Sequence, residues 1–130
     1  AVAVCADLTD TQQTRSLFAE ARNALGTVDL LVNNASVFEP DSVLQMDDKL
    51  WATHFAVHLQ APAILAGEMA KQSELEDGLI VNMIDQRVKN LNPLFFSYTI
   101  SISSIEYKFI LQSKLFSQNF PPNEEMSLSA

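Results

Sequence analysis

A chain of 130 residues, 48% hydrophobic, is long enough for one small core and too apolar for a disordered tail. Its net charge of −8 excludes a broad basic face for nucleic acid or for an anionic membrane surface. A lone cysteine, Cys5, excludes an internal disulfide and points to the cytoplasm, and no run of about 18 apolar residues offers a transmembrane helix.

The N-terminus "AVAVCADLTD" has no basic leader, so it does not read as a signal peptide. It also lacks an initiator methionine and starts in mid-strand, as if cut from something longer. "AVAVCA" is expected to be a short strand, with Cys5 as a small core residue. A turn and a helix follow, opened by Asp10 with Gln13 three residues on, the spacing of a capping box. Leu17, Phe18, Ala21 and Leu25 fall on one face of that helix, and Gly26 suits its end. "VDLLVNN" is a continuous apolar run before turn residues, the pattern of a strand buried on both faces.

"DDKLWATHFAVHLQAPAILAGEMAKQ" is a long helical pattern in which Leu50, Trp51, His54, Phe55, His58 and Leu59 recur at helical spacing. Pro62 predicts a bend or break there. "DGLIVNMID" reads as a second buried strand opened by Gly78, and "NLNP" as loop. "YTISIS" alternates like a strand, yet Ile105, Phe109, Leu115 and Phe116 can line a helix. Strand–helix–strand–helix–strand order implies an α/β fold, a parallel sheet with helices over it. One domain over 1–116 and a polar tail over 117–130 are expected. Lone histidines on a helix, such as His58, read as structural, and no second residue has metal-ligand spacing with it.

Three segments, "ADLTD", "NNAS" and "NMIDQR", follow the three expected strands. Parallel strands would bring these ends to one crevice, where open sheets bind ligands. "VDLLVNNAS", "ADLTD" and the "PLFFSY" approach to a tyrosine, over roughly residues 1–101, resemble the short-chain dehydrogenase/reductase family. "NNASVF" and "VNMID" are most similar to its pteridine-reductase-like branch, where an aspartate also stands in place of the catalytic serine.

That resemblance implies a partial, doubly wound Rossmann-like fold of three layers with a truncated parallel sheet. It implies an oxidoreductase using NADP or NAD to reduce a carbonyl or a pterin-like C=N in a small-molecule substrate, with a homo-oligomer as a family trait. By position, Asp7 and its neighbour Leu8 would meet the adenine end of the cofactor. Asn33, Asn34, Ala35 and Ser36 would form the turn against the cofactor, with Asn34 tying neighbouring strands. Phe38 would stack on a flat substrate ring, Asp85 would stand beside the reacting bond, and Tyr98 would donate the proton. Asp7 and Asp85 also read simply as turn or cap residues, and Tyr98 as a half-buried tyrosine.

Three departures stand against that chemistry. The three glycines, at 26, 67 and 78, cannot build the phosphate loop that the family places after its first strand, which argues against dinucleotide binding in this chain. Ile102 stands where the family has a lysine one helical turn after the tyrosine; Lys108 lies roughly 9 Å further along, too far to replace it. A phenol needs a nearby cation to ionise near neutral pH, so Tyr98 is expected to lack that help. His58 replaces an asparagine of the family's proton relay, the mildest change. From about Ile102 onward the likeness ends, as after a shifted frame or an aberrant splice. The alternatives to a reductase are therefore a non-catalytic fragment acting through subunit association, or a pseudogene product.

Overall fold

Asp10 ends the N-terminal segment and starts the first helix. In the computed structural model, which describes the backbone of residues 1–115 and the side chains of residues 1–105, its carboxylate accepts from the Gln12 and Gln13 amides at 2.8 and 3.1 Å. Gln13 returns its side-chain amide to the same carboxylate at 3.1 Å. Its carbonyl oxygen reaches past the cap to the Asp7 amide at 3.0 Å. The capping box therefore forms with one partner displaced. Helix α1 runs Thr11–Leu25 and closes at Gly26, whose φ of 86° favours glycine. Thr14 and Phe18 are its buried residues; Leu25 is exposed rather than on that stripe.

Residues 1–6 form no strand, and Cys5 is exposed, against both expectations for that segment. A strand exists only where a neighbour takes its backbone hydrogen bonds. Among the described residues the ladder is restricted to β1, Leu30–Asn33, and β2, Leu79–Asn82. The two are parallel, with Leu30 opposite Leu79 and Asn33 opposite Asn82. Asn33 donates its side-chain amide to the Asn82 side-chain oxygen at 2.7 Å, clasping both strand ends. The sheet is not buried on both faces. Leu31 and Ile80 face a core of Phe18, Leu65, Ala66 and Met69, while Leu30, Val32 and Leu79 on the alternate face are half exposed.

The crossover between the strands is helical. Asp47 caps helix α2, Asp48–Phe55, by accepting from the Leu50 amide at 2.7 Å. A π-helical turn, Ala56–Gln60, leads into helix α3, Ala61–Ala70. The Ala61 amide reaches back five residues to the Ala56 carbonyl. This is the break expected at Pro62, whose ring nitrogen has no hydrogen to continue an α-helical ladder. After α3, buried Gln72 accepts from the Val28 amide at 2.9 Å and donates to the Val28 carbonyl at 2.8 Å, pinning the entry to β1.

The ambiguous "YTISIS" segment is helical. Helix α4 runs Phe96–Leu115, with Tyr98, Ile102 and Ile105 buried and Ile100 exposed. Spacings of four and three match a helix, whereas a strand would have put Ile100 with Tyr98 and Ile102. The side chains of Phe109 and Leu115, Phe116 and the tail expected over 117–130 lie outside the described residues. No helix among the described residues is long and apolar enough to cross a membrane.

Candidate functional site

The loop leaving β1 carries Asn34, Ala35 and Ser36, all exposed, and then Phe38. Two anchors fix that loop, one half-buried and one buried. Asp41 accepts from the Ser97 amide at 2.9 Å and from the Ser97 hydroxyl, so it caps the start of α4 from a distance in sequence. The other anchor is His58 on the π turn. The Val37 amide donates to its Nε2 at 3.1 Å, which leaves Nε2 without a hydrogen. The ring proton therefore sits on Nδ1 and is donated to the Ser101 hydroxyl at 2.8 Å. Ser101 passes its own proton to the Tyr98 carbonyl at 2.8 Å. The Ser36 hydroxyl oxygen lies 3.1 Å from the same nitrogen.

Burial, and then the neighbouring His54, lower the pKa of His58 to about 4, so the ring is neutral at ordinary pH. His54 is itself fully buried and bonded through Nδ1 to the Leu50 carbonyl at 2.9 Å. The structural reading of His58 holds: a neutral ring joins the β1 loop to α4. In this tautomer Nε2 has no proton to pass on.

Tyr98 is buried, and its ring stands edge-on to Phe38 at 4.9 Å and to His58 at 5.3 Å. Burial raises its pKa above the usual phenol value, and the Asp85 charge raises it further. Hydrogen bonding to Ser36 and the charge of Arg87 pull the other way without reversing the shift. A cation therefore does stand near the phenol, contrary to the expectation of none, but it is too weak in effect to favour the phenolate. Ile102, in the lysine position, is buried and apolar.

Asp85 follows β2 and caps the short 3-10 turn Gln86–Val88, accepting from the Arg87 amide at 2.8 Å. Its other oxygen pairs with the Arg87 guanidinium at 3.4 Å. Asp85 is thus a cap, as one of its two readings has it, and its charge also raises the pKa of Tyr98. Phe38 lies parallel to Phe95 at 4.3 Å, with Arg87 4.5 Å from its centroid.

Ser36, Phe38, Asp85 and Tyr98 therefore come together. Asp7 does not join them. Its carboxylate is exposed, with one oxygen taking the Thr9 amide at 2.9 Å and the Thr9 hydroxyl at 2.8 Å, bonds that lower its pKa. Leu8, beside it, is half-buried. The bond between strand ends is made by Asn33, not Asn34. Sequence reasoning missed Arg87, Phe95, Asp41 and Ser101. Only Arg87 carried a signal, its place two residues after Asp85, the spacing of a side-chain-capped turn.

Comparison with known proteins places these residues in a family. The chain is similar to FolM alternative dihydrofolate reductase 1 from Brucella canis, solved with NADP, at 48% identity and a TM-score of 0.80, covering 88% of this chain and 47% of that one. The Brucella suis protein, also solved with NADP, gives 46% identity and a TM-score of 0.79, covering 88% of this chain and 48% of that one. A short chain dehydrogenase/reductase, dpchG of Colletotrichum higginsianum, is 41% identical over 88 residues, which are 62% of this chain and 32% of that protein. This chain spans less than half the length of each, and its architecture is a partial Rossmann-like α/β fold with a two-stranded parallel sheet. The model of the short chain dehydrogenases matches residues 1–104, and the chain belongs to that family.

Proposed function

We propose that the site derives from an NADP(H)-dependent reductase of a flat, pterin-like C=N substrate, with Tyr98 as proton donor and Asp85 assisting. The observation that carries this reading is the edge-on contact of Tyr98 with Phe38 at 4.9 Å. It puts a phenol beside an aromatic residue that is 46% exposed, with the Asp85 carboxyl near the same phenol. A flat ring lying on Phe38 would meet a proton donor at its edge. The likeness to the two FolM dihydrofolate reductases favours a pterin over a simple carbonyl.

The cofactor fits in part. Asp7 has a second carboxylate oxygen that takes no hydrogen bond from the described residues and could accept from an adenine amino group. The exposed Asn34–Ser36 turn could lie along the nicotinamide end. For the diphosphate between them, the sequence offers no glycine-lined helix start. When bound, the cofactor supplies the hydride; this chain supplies the platform and the proton. With the phenol pKa raised and Ile102 in the lysine position, the 130-residue chain itself is expected to turn over little or no substrate. The test is NADPH oxidation by the purified chain with dihydrofolate, a quinone or a ketone, alongside binding of free pterin. Pterin binding that Phe38→Ala abolishes supports the site, and steady NADPH consumption would overturn the expected inactivity.

A second reading rests on the open sheet face. Leu30, Val32 and Leu79 are each at least half exposed on one side of the ladder. Such a face favours association with another copy or with a longer relative, without catalysis. A clean monomer on gel filtration at all concentrations would count against it.

A further inference from the structure

Arg87 is the cation that the proposed chemistry does not use. Its amide and guanidinium are both fixed by Asp85, at 2.8 and 3.4 Å, so the side chain is held in place rather than free in solvent. Its guanidinium carbon is 4.5 Å from the Phe38 centroid and 5.1 Å from that of Phe95, and the two rings are 4.3 Å apart. Three nearly equal separations make a corner of two rings and one cation. Only one guanidinium nitrogen has a partner among the described residues, over a long ion pair, and the side chain is 30% exposed. A guanidinium has five N–H donors, so most of these are on offer at the edge of the platform.

We infer that Arg87 is a specificity residue: it selects, among flat heteroaromatic ligands stacked on Phe38, those bearing a carboxylate tail. This rests on the platform reading above and adds a ligand class to it. A ring on the exposed side of Phe38 occupies the aromatic part of the corner, and a tail extending past the ring edge reaches the Arg87 donors. A carboxylate matches that fork with paired N–H···O bonds, whereas a neutral tail leaves the donors to water. The surrounding charges set the size of the effect. Asp85 already neutralises part of the Arg87 charge, and the net charge of −8 opposes anions at long range. That field is screened beyond about 8 Å at physiological salt, so the contact at the corner decides.

Equilibrium dialysis of the intact chain against two probes tests this: pterin, the bare ring, and folic acid, the same ring carrying a p-aminobenzoyl spacer that ends in a dicarboxylate. Folic acid should bind about three- to tenfold more tightly at low salt, as expected for a partly exposed charged pair. Raising the salt should close that gap in the unmodified protein, a readout that requires no variant. Arg87→Gln should remove the gap between the two probes, while Arg87→Lys should keep part of it. Equal binding of both probes, or a gap that survives in Arg87→Gln, overturns the inference and leaves the platform standing. Binding of neither probe overturns both readings together.

Discussion

The Nδ1 of His58 donates to the Ser101 hydroxyl at 2.8 Å, joining residues 43 positions apart in the sequence. With the Val37 amide on Nε2 at 3.1 Å, one neutral ring holds the loop that carries Phe38 against the helix that carries Tyr98. The relative position of Phe38 and Tyr98 therefore depends on the His58 ring.

His58→Leu leaves the Val37 amide and the Ser101 hydroxyl without their partner, and should cost about 2–4 kcal/mol in urea unfolding. The loss is also pH-dependent. The folded pKa is about 4 against an ordinary value of 6.5, so the neutral ring contributes fully above pH 6.5. As pH falls from 6.5 toward 4, the unfolded chain takes up a proton that the folded chain refuses, and about 3 kcal/mol is lost. The difference between the unmodified protein and His58→Leu isolates this slope from that of the capping carboxylates.

Tyr98 should titrate above the usual phenol range, followed by tyrosinate absorbance with Tyr98→Phe to separate it from Tyr107. Asp85→Asn removes a negative charge that opposes the phenolate and releases Arg87 from its pair. Both changes act downward, so the titration should move to lower pH. An unchanged curve would mean that Asp85 does not act on the phenol.

Gln72→Leu keeps the volume and deletes the clamp on Val28, leaving a backbone amide and a carbonyl that lose partners at 2.9 and 2.8 Å. The cost should be about 2–3 kcal/mol, read as a lower midpoint in urea with an unchanged slope.

Replacing Ile102 with the family's lysine does not simply restore the chemistry. The position is 5% exposed, and an ammonium there loses its hydration. Ile102→Lys should destabilise by about 2–4 kcal/mol at neutral pH. The penalty should shrink toward pH 10, because a buried lysine has a lowered pKa and is more easily accommodated once neutral. A variant as stable as the parent at pH 7 would mean that the helix face opens to water.

The local signals were legible in the sequence wherever a residue acts on its own neighbours. Asp10 and Gly26 start and stop helix α1 through bonds within a few residues, and the central apolar runs became the two paired strands. The stripe through His54 and His58 also faces inward as its spacing implies. The failures involve partners distant in sequence. "AVAVCA" has strand composition but no neighbouring strand, so it forms no strand and is largely exposed. Asn33 and Asn34 are indistinguishable until the ladder register shows which one faces Asn82. Phe38 and Tyr98 were recognisable from their motifs, but Phe95 and Arg87 join them only through the return of the chain after β2.

The π turn at Ala56–Gln60 fits one more residue into a helix than regular winding would accept. The wider winding absorbs the surplus: a regular helix would turn each added residue by about 100°, whereas here the residues after the turn stay in phase with those before it. Excising one residue of the turn should therefore return it to ordinary winding with Leu65, Ala66 and Met69 still set against Phe18 and Ile80. Helix α1 has no such slack, and the same deletion in its middle should turn Phe18 off the core.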